Sequence, residues 1–144
     1  MILGVRHTGI VVRDLEKMKI FYESLGFVEE SSNTESGYFI EQVTGIDGVS
    51  LDWAKLRAPD GYLIELLNYN HHSETKDIIN SNSNKLGISH LAFTVTDIDN
   101  ICKLILKAGG SLVNSPALSP AGNVRVAYCY DVEGVLLELV ELQH

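Results

Sequence analysis

The sequence predicts an α+β fold: two tandem βαβββ modules forming a cupped mixed β-sheet with helices on the outer face. Three observations predict it. Gly4 to Val12 (GVRHTGIVV) lies over Gly87 to Val95 (GISHLAFTV), with His7 on His90 and Val12 on Val95, a constant offset of 83 that runs on through Asp14 on Asp97 and Gly26 on Gly109. Asp60 to Leu66 (DGYLIEL) lies over Glu133 to Leu139 (EGVLLEL) at an offset of 73, so the first module is ten residues longer between its ends. Between these matches each copy carries one helix-spaced apolar stripe among strand-like segments. A half-size unit of this kind cannot cover both faces of a four-stranded sheet, so the two sheets are expected to combine.

The elements follow in order. Val5 to Val12 is apolar on both parities, as in a strand covered on both sides, with His7, Gly9 and Val11 pointing one way and Thr8, Ile10 and Val12 the other. Asp14 can cap a helix whose stripe is Leu15, Met18, Phe21, Tyr22 and Leu25, ended by Gly26. Glu29 to Ser36 (EESSNTES) is expected to be a polar loop, and Gly37 to Val43 a strand followed by turn chemistry at Thr44 to Gly48. Val49 to Ala58 is predicted as a strand, Pro59-Asp60-Gly61 as a tight turn, and Tyr62 to Tyr69 as a strand with Leu63, Glu65 and Leu67 on one face. Asn70 to Leu86 is polar, with Ile78 and Ile79 as its apolar anchor, and reads as the linker.

The second module repeats the order. A strand from Ile88 to Val95 leads to an Asp97-capped helix with Ile98, Ile101, Leu104, Ile105 and Ala108 on its stripe, stopped by Gly109-Gly110. A short strand near Leu112, a loop with Pro116, Pro120 and Gly122, and strands Val124 to Tyr130 and Val135 to Leu142 complete it. Length and repeat together suggest a single domain over residues 1–144, with module 1 at about 4–70, the linker at about 71–86 and module 2 at about 87–142.

The 144 residues carry a formal net charge of −8 without a Lys/Arg-rich run, which argues against nucleic acid and anionic membrane surfaces as partners. An anionic substrate would need local positive charge or a metal. No signal peptide or membrane-spanning apolar stretch is evident, so a cytoplasmic location is expected. Cys102 and Cys129 lack close spacing and are expected to be small buried apolar residues.

Four polar groups stand where hydrocarbon is expected. Glu65 sits in LIELL and Glu138 in LLELV, and neither has a Lys or Arg two residues away on its own strand face. A buried carboxylate without a partner is expelled, neutralised, paired or bound to a metal. One strand histidine or glutamate alone is more often a hydrogen-bonded core group or a solvated one. His7 and Glu65 recurring as His90 and Glu138 at equivalent repeat positions point instead to one divalent metal site with two imidazole and two carboxylate ligands, suited to Zn, Ni, Co, Mn or Fe. Arg125 could hold a substrate carboxylate or be an edge charge. Arg57 and Lys55 read as outward or rim charges, His71-His72 as solvent-facing, Glu41 and Asp52 as candidates for the cavity, and Ser50 and Tyr128 as residues without a partner signal. No nucleophile elbow, Walker loop or dinucleotide fingerprint occurs.

These residues, His7 in VRHTGIVV, DLEKMKIFYESLGF, APDGYLIELL around Glu65, ISHLAFTVTDID around His90 and EGVLLELVEL around Glu138, resemble the vicinal oxygen chelate superfamily of glyoxalases, bleomycin-resistance proteins and extradiol dioxygenases. The resemblance spans Val5 to Leu142. Its His, Glu, His, Glu set is similar to that of bacterial glyoxalase I, which implies a metal-dependent lyase or isomerase moving a proton through a metal-bound enediolate of a small α-oxygenated carbonyl substrate. It also implies Glu138 or Glu65 as the proton carrier, Glu138 first, and a homodimer as the assembly. Methylmalonyl-CoA epimerases resemble the chain too, usually with Gln where Glu65 stands. A metal-free drug-binding protein of the bleomycin-resistance type is the non-catalytic alternative. Val11 stands where glyoxalase I enzymes tend to carry an arginine, a departure that bears on glutathione.

Overall fold

A computed structural model describes residues 1–71 and 82–143. Among them the chain forms nine strands and three helices, divided into two compact units, Met1–Lys76 and Asp77–His144. The expected linker anchor, Ile78 and Ile79, lies outside the described residues, as does His72.

In the first unit, β1 (Thr8–Val11), β2 (Val28–Ser36), β3 (Ser50–Arg57) and β4 (Leu63–Tyr69) form a sheet ordered β1-β4-β3-β2, with β1 parallel to β4 and the remaining pairs antiparallel. Helix α1 (Leu15–Ser24) begins where Asp14 Oδ1 accepts the Lys17 amide at 2.9 Å, and ends at Gly26, whose φ of 99° is costly for any side chain. Its stripe buries Met18, Phe21 and Tyr22 and packs on β3 and β4, whose alternate residues Ala54, Leu56, Ile64 and Leu66 are fully buried. Each large apolar side chain so covered contributes roughly 1.5–3 kcal/mol.

The second unit repeats this plan. β5 (Leu91–Thr94), β6 (Ser111–Leu112), β8 (Val124–Tyr130) and β9 (Leu136–Leu142) are ordered β5-β9-β8-β6, again with the first strand parallel to the last, and the two-residue β7 (Ala117–Leu118) pairs with β8. Helix α3 (Ile98–Lys107) is capped by Asp97, whose Oδ1 accepts the Asn100 amide at 3.1 Å, and it buries Ile98, Cys102 and Ile105 against β8, β9 and β6. The turn after it is tight. A Cβ on Gly110 would stand 2.5 Å from the Tyr130 carbonyl oxygen and 2.8 Å from Ile105 Cγ2.

Hydrogen bonding gives each unit its own sheet. Three local expectations are corrected. Glu29 to Ser36 is not a loop but most of β2, whose backbone is satisfied by β3 while its side chains are largely exposed, so it lacks the apolar alternation that marks a half-buried strand. Gly37 to Val43 is not a strand. Tyr38–Thr44 forms helix α2, pinned by Ile40 in a small core with Val49 and Leu51, and closed by Gly45 in the left-handed conformation. A short apolar run carries no period that separates helix from strand. The opening strands of both modules are shorter than expected, and the first is not covered on both sides, for Val11 is exposed.

Candidate functional site

Strand parity decides what faces the site. On β4, Ile64 and Leu66 turn to α1, so Glu65 emerges on the opposite face; on β9, Leu137 and Leu139 are buried and Glu138 emerges likewise. His7 and His90 each stand one residue before the opening strand of their unit, and that strand runs parallel beside the glutamate's strand, with Gly9 in register with Glu65 and Ala92 with Glu138. The alternation that fills the core thus places one imidazole beside one carboxylate, twice.

His7 Nε2 lies 2.9 Å from Glu65 Oε2, and His90 Nε2 lies 3.2 Å from Glu138 Oε2. All four side chains are part-buried, at 27%, 15%, 28% and 23% exposure in that order, and therefore remain open to a ligand. His90 Nδ1 is 3.0 Å from Ser89 Oγ. With the ring proton on Nε2 the imidazole donates to the Glu138 carboxylate, and with the ring proton on Nδ1 the Nε2 lone pair is open to a cation shared with that carboxylate. Among the described residues His7 Nδ1 is buried without a hydrogen-bond partner.

The pairs fit a metal. Donor atoms about 2.1 Å from one ion lie about 3.0 Å apart at right angles and about 3.4 Å apart at the tetrahedral angle. Contacts of 2.9 and 3.2 Å are therefore compatible with shared coordination as well as with a hydrogen bond. Among the described residues no His, Cys, Asp or Glu side chains gather in a group of three or more that could hold a metal ion, so each His–Glu pair stands as two potential donors.

The two pairs have different neighbours. Lys55 faces Glu65 across the β3/β4 register, its Nζ 3.5 Å from Oε1 and 4.6 Å from the centroid of the Trp53 ring, so it is not a free rim charge as expected. In the second unit the residue facing Glu138 is Tyr128, whose ring meets His90 edge-on with centroids 5.1 Å apart. Both were legible. A hairpin turning at Asp60 sets Lys55 opposite Glu65, and one turning at Glu133 sets Tyr128 opposite Glu138.

Other candidates lie elsewhere. Arg125 is no free substrate anchor: its guanidinium forks onto Asp99 at 2.8 and 3.0 Å and reaches Glu141 at 3.5 Å, tying the first turn of α3 to the sheet. The guanidinium holds the Asp99 carboxyl below the usual range. Glu41 accepts the Gly48 amide, Asp52 accepts the Thr34 hydroxyl on the face opposite Lys55, and Arg57 pairs with Glu30 at the sheet margin, so none joins the His–Glu pairs. His71 is exposed, as expected. Both cysteines are buried and free, and burial pushes the Cys129 thiol up to about 12.

Comparison with known proteins gives the family of this chain. The model of the Glyoxalase/Bleomycin resistance protein/Dioxygenase superfamily matches residues 4–139. The chain is 29% identical over 137 residues to a probable lactoylglutathione lyase of Synechocystis sp., covering 94% of this chain and 92% of that one. It superposes on a glyoxalase family protein from Bacillus cereus with a TM-score of 0.92 at 29% identity, covering 100% of this chain and 97% of the other. A fosfomycin resistance protein from Listeria monocytogenes, FosX, shares the fold with a TM-score of 0.67 at 19% identity, over 99% and 96% of the two chains. Repeat, strand order and family match converge: the chain belongs to the glyoxalase/bleomycin resistance protein/dioxygenase superfamily.

Proposed function

We propose that this protein is a metal-dependent lyase or isomerase of the glyoxalase I type, acting on a small α-oxygenated carbonyl compound, with His7, Glu65, His90 and Glu138 as the ligands of one divalent ion. The observation that carries this reading is the recurrence of a part-buried His–Glu pair, at 2.9 and 3.2 Å, in both units. Coincidence of two side chains at each of two equivalent places is hard to explain by packing alone. The lyase of Synechocystis sp. supports the reaction class.

The bound ion would supply Lewis acidity to two adjacent substrate oxygens, easing loss of the neighbouring C–H proton. The chain's residues do the rest. His7 and His90 offer Nε2 as nitrogen donors, and the His90 ring is held through its other nitrogen, Nδ1, by Ser89 Oγ. Glu65 is held at both oxygens, by His7 and Lys55, and is suited to remain a ligand. Glu138 faces a tyrosine rather than a cation across the strand and is held by one ionic partner where Glu65 has two, so it is the carboxylate assigned here to take the proton and return it. Val11 is exposed, so no cation stands there to hold a glutathione carboxylate.

Metal analysis of protein purified without chelator tests the reading. About one equivalent of a transition metal per four-ligand set is expected, removable by chelator and restored by Ni, Co, Mn or Zn. Less than about a tenth of an equivalent with no rebinding would refute it. A panel of hemithioacetals and acyl-CoA epimers, run with each metal, then identifies the reaction.

A further inference from the structure

The two glutamates sit in equivalent settings whose antiparallel neighbour differs, and the difference there is a charge. Across the first sheet the register aligns Gly9, Glu65, Lys55 and Ser31; in the second the same row reads Ala92, Glu138 and Tyr128. Lys55 is therefore an ammonium placed at the proposed ligand carboxylate of one unit, with no counterpart in register with Glu138 among the described residues of the other.

Its arm is held in place. Nζ rests 4.6 Å over the Trp53 ring, and that ring is fixed by its indole N–H donating to Glu35 Oε1 at 3.0 Å. The side chain keeps 25% of its exposure, and the row is flanked by a glycine and by an exposed serine, so a small molecule can reach the ammonium.

Charge balance gives it a role that rests on the proposed ligand set. Two carboxylates neutralise a divalent ion. Once Glu65 serves that ion, it no longer compensates Lys55, and the site is left with one surplus positive charge in part-buried surroundings, where an uncompensated charge is costly. A ligand that brings its own anion removes the cost. We propose that Lys55 selects substrates that carry an anionic group, a carboxylate or a phosphate, close to the two oxygens presented to the metal.

The test uses full-length protein loaded with Co(II) and two hydroxamates that chelate alike, acetohydroxamate and N-hydroxysuccinamate, of which the second adds a carboxylate. Binding is followed by the cobalt absorption bands. Wild type should prefer the carboxylate-bearing ligand by about fivefold or more, and Lys55→Met should bring the ratio near one, while Lys55→Arg should keep it. Lys55→Met should also bind Co(II) several-fold more tightly, because a like charge beside the ion has gone. A purely structural lysine would move metal affinity the other way. If the protein binds no Co(II), the ligand set itself fails and this inference falls with it. If Co(II) and both hydroxamates bind but the preference is absent, or is unchanged in Lys55→Met, the ligand set stands and the role of Lys55 is overturned.

Discussion

Replacing His90 with alanine separates a metal ligand from a packed histidine, because the two roles predict different free energies. In metal-free protein the substitution removes an edge-on ring contact with Tyr128 at 5.1 Å and a 3.2 Å contact with Glu138. For a side chain still 28% exposed, that loss should cost about 1–2 kcal/mol. The larger effect appears with metal. At an ion concentration one hundred times its dissociation constant, wild type gains about 2.7 kcal/mol of stability. Loss of a direct ligand should weaken binding by about a hundredfold or more, since even groups behind the ligands are worth 10–100-fold. At the same metal concentration the variant would then recover only about 0.4 kcal/mol. Denaturant unfolding followed by far-ultraviolet circular dichroism, with and without Ni or Zn, reads both values. His7→Ala should lose a similar metal increment, whereas His71→Ala, at an exposed position, should keep it. A His90→Ala protein that retains the wild-type metal increment would refute the assignment of His90 as a ligand.

Three further outcomes are expected. Gly110→Ala should destabilise the second unit by about 3 kcal/mol, measured by denaturant midpoint, because its Cβ would collide with the Tyr130 carbonyl at 2.5 Å and backbone yields less readily than a side chain. Cys129, buried and with its thiol pushed up to about 12, should resist thiol reagents at pH 8 until the protein is unfolded. A raised folded value favours the protonated native state, so the stability linked to this thiol is complete below the ordinary value of 9.0 and declines as pH rises from there toward 12, which an alkaline unfolding series measures. In Arg125→Gln the Asp99 carboxyl should return upward to the usual carboxylate range in an NMR titration; in wild type the contribution of this ion pair is present above that range and is lost as pH falls through the lowered value.

How much of this was legible in the sequence follows from which physics acts locally. The helices α1 and α3 were readable because an aspartate cap, a helix-spaced stripe and a glycine stop all lie within a few turns of chain. The repeat carried the topology, and parity around Ile64 and Leu66 carried the facing of Glu65. Strand β2 was missed because its pairing with β3 is written in backbone hydrogen bonds, while its side chains EESSNTES look like a solvated loop. Helix α2 was missed because Ile40 alone anchors it, which leaves no period to detect. One histidine and one glutamate per module were legible from the repeat, while their contact within each module needed the parallel pairing of β1 with β4 and of β5 with β9. The contrast between Lys55 and Tyr128 needed the cross-strand register.

The polar character of β2 has a consequence of its own. The strand is nine residues long and lies at the margin of its sheet, with one row of amide and carbonyl groups unclaimed by its neighbour β3. Such a margin invites another polypeptide to extend the ladder. Its glutamates, serines, asparagine and threonine, with a register irregularity between Glu29 and Ser31, discourage that recruitment. Replacing its outward positions with valine or isoleucine would make a more regular strand and, by the same physics, a seed for fibrils.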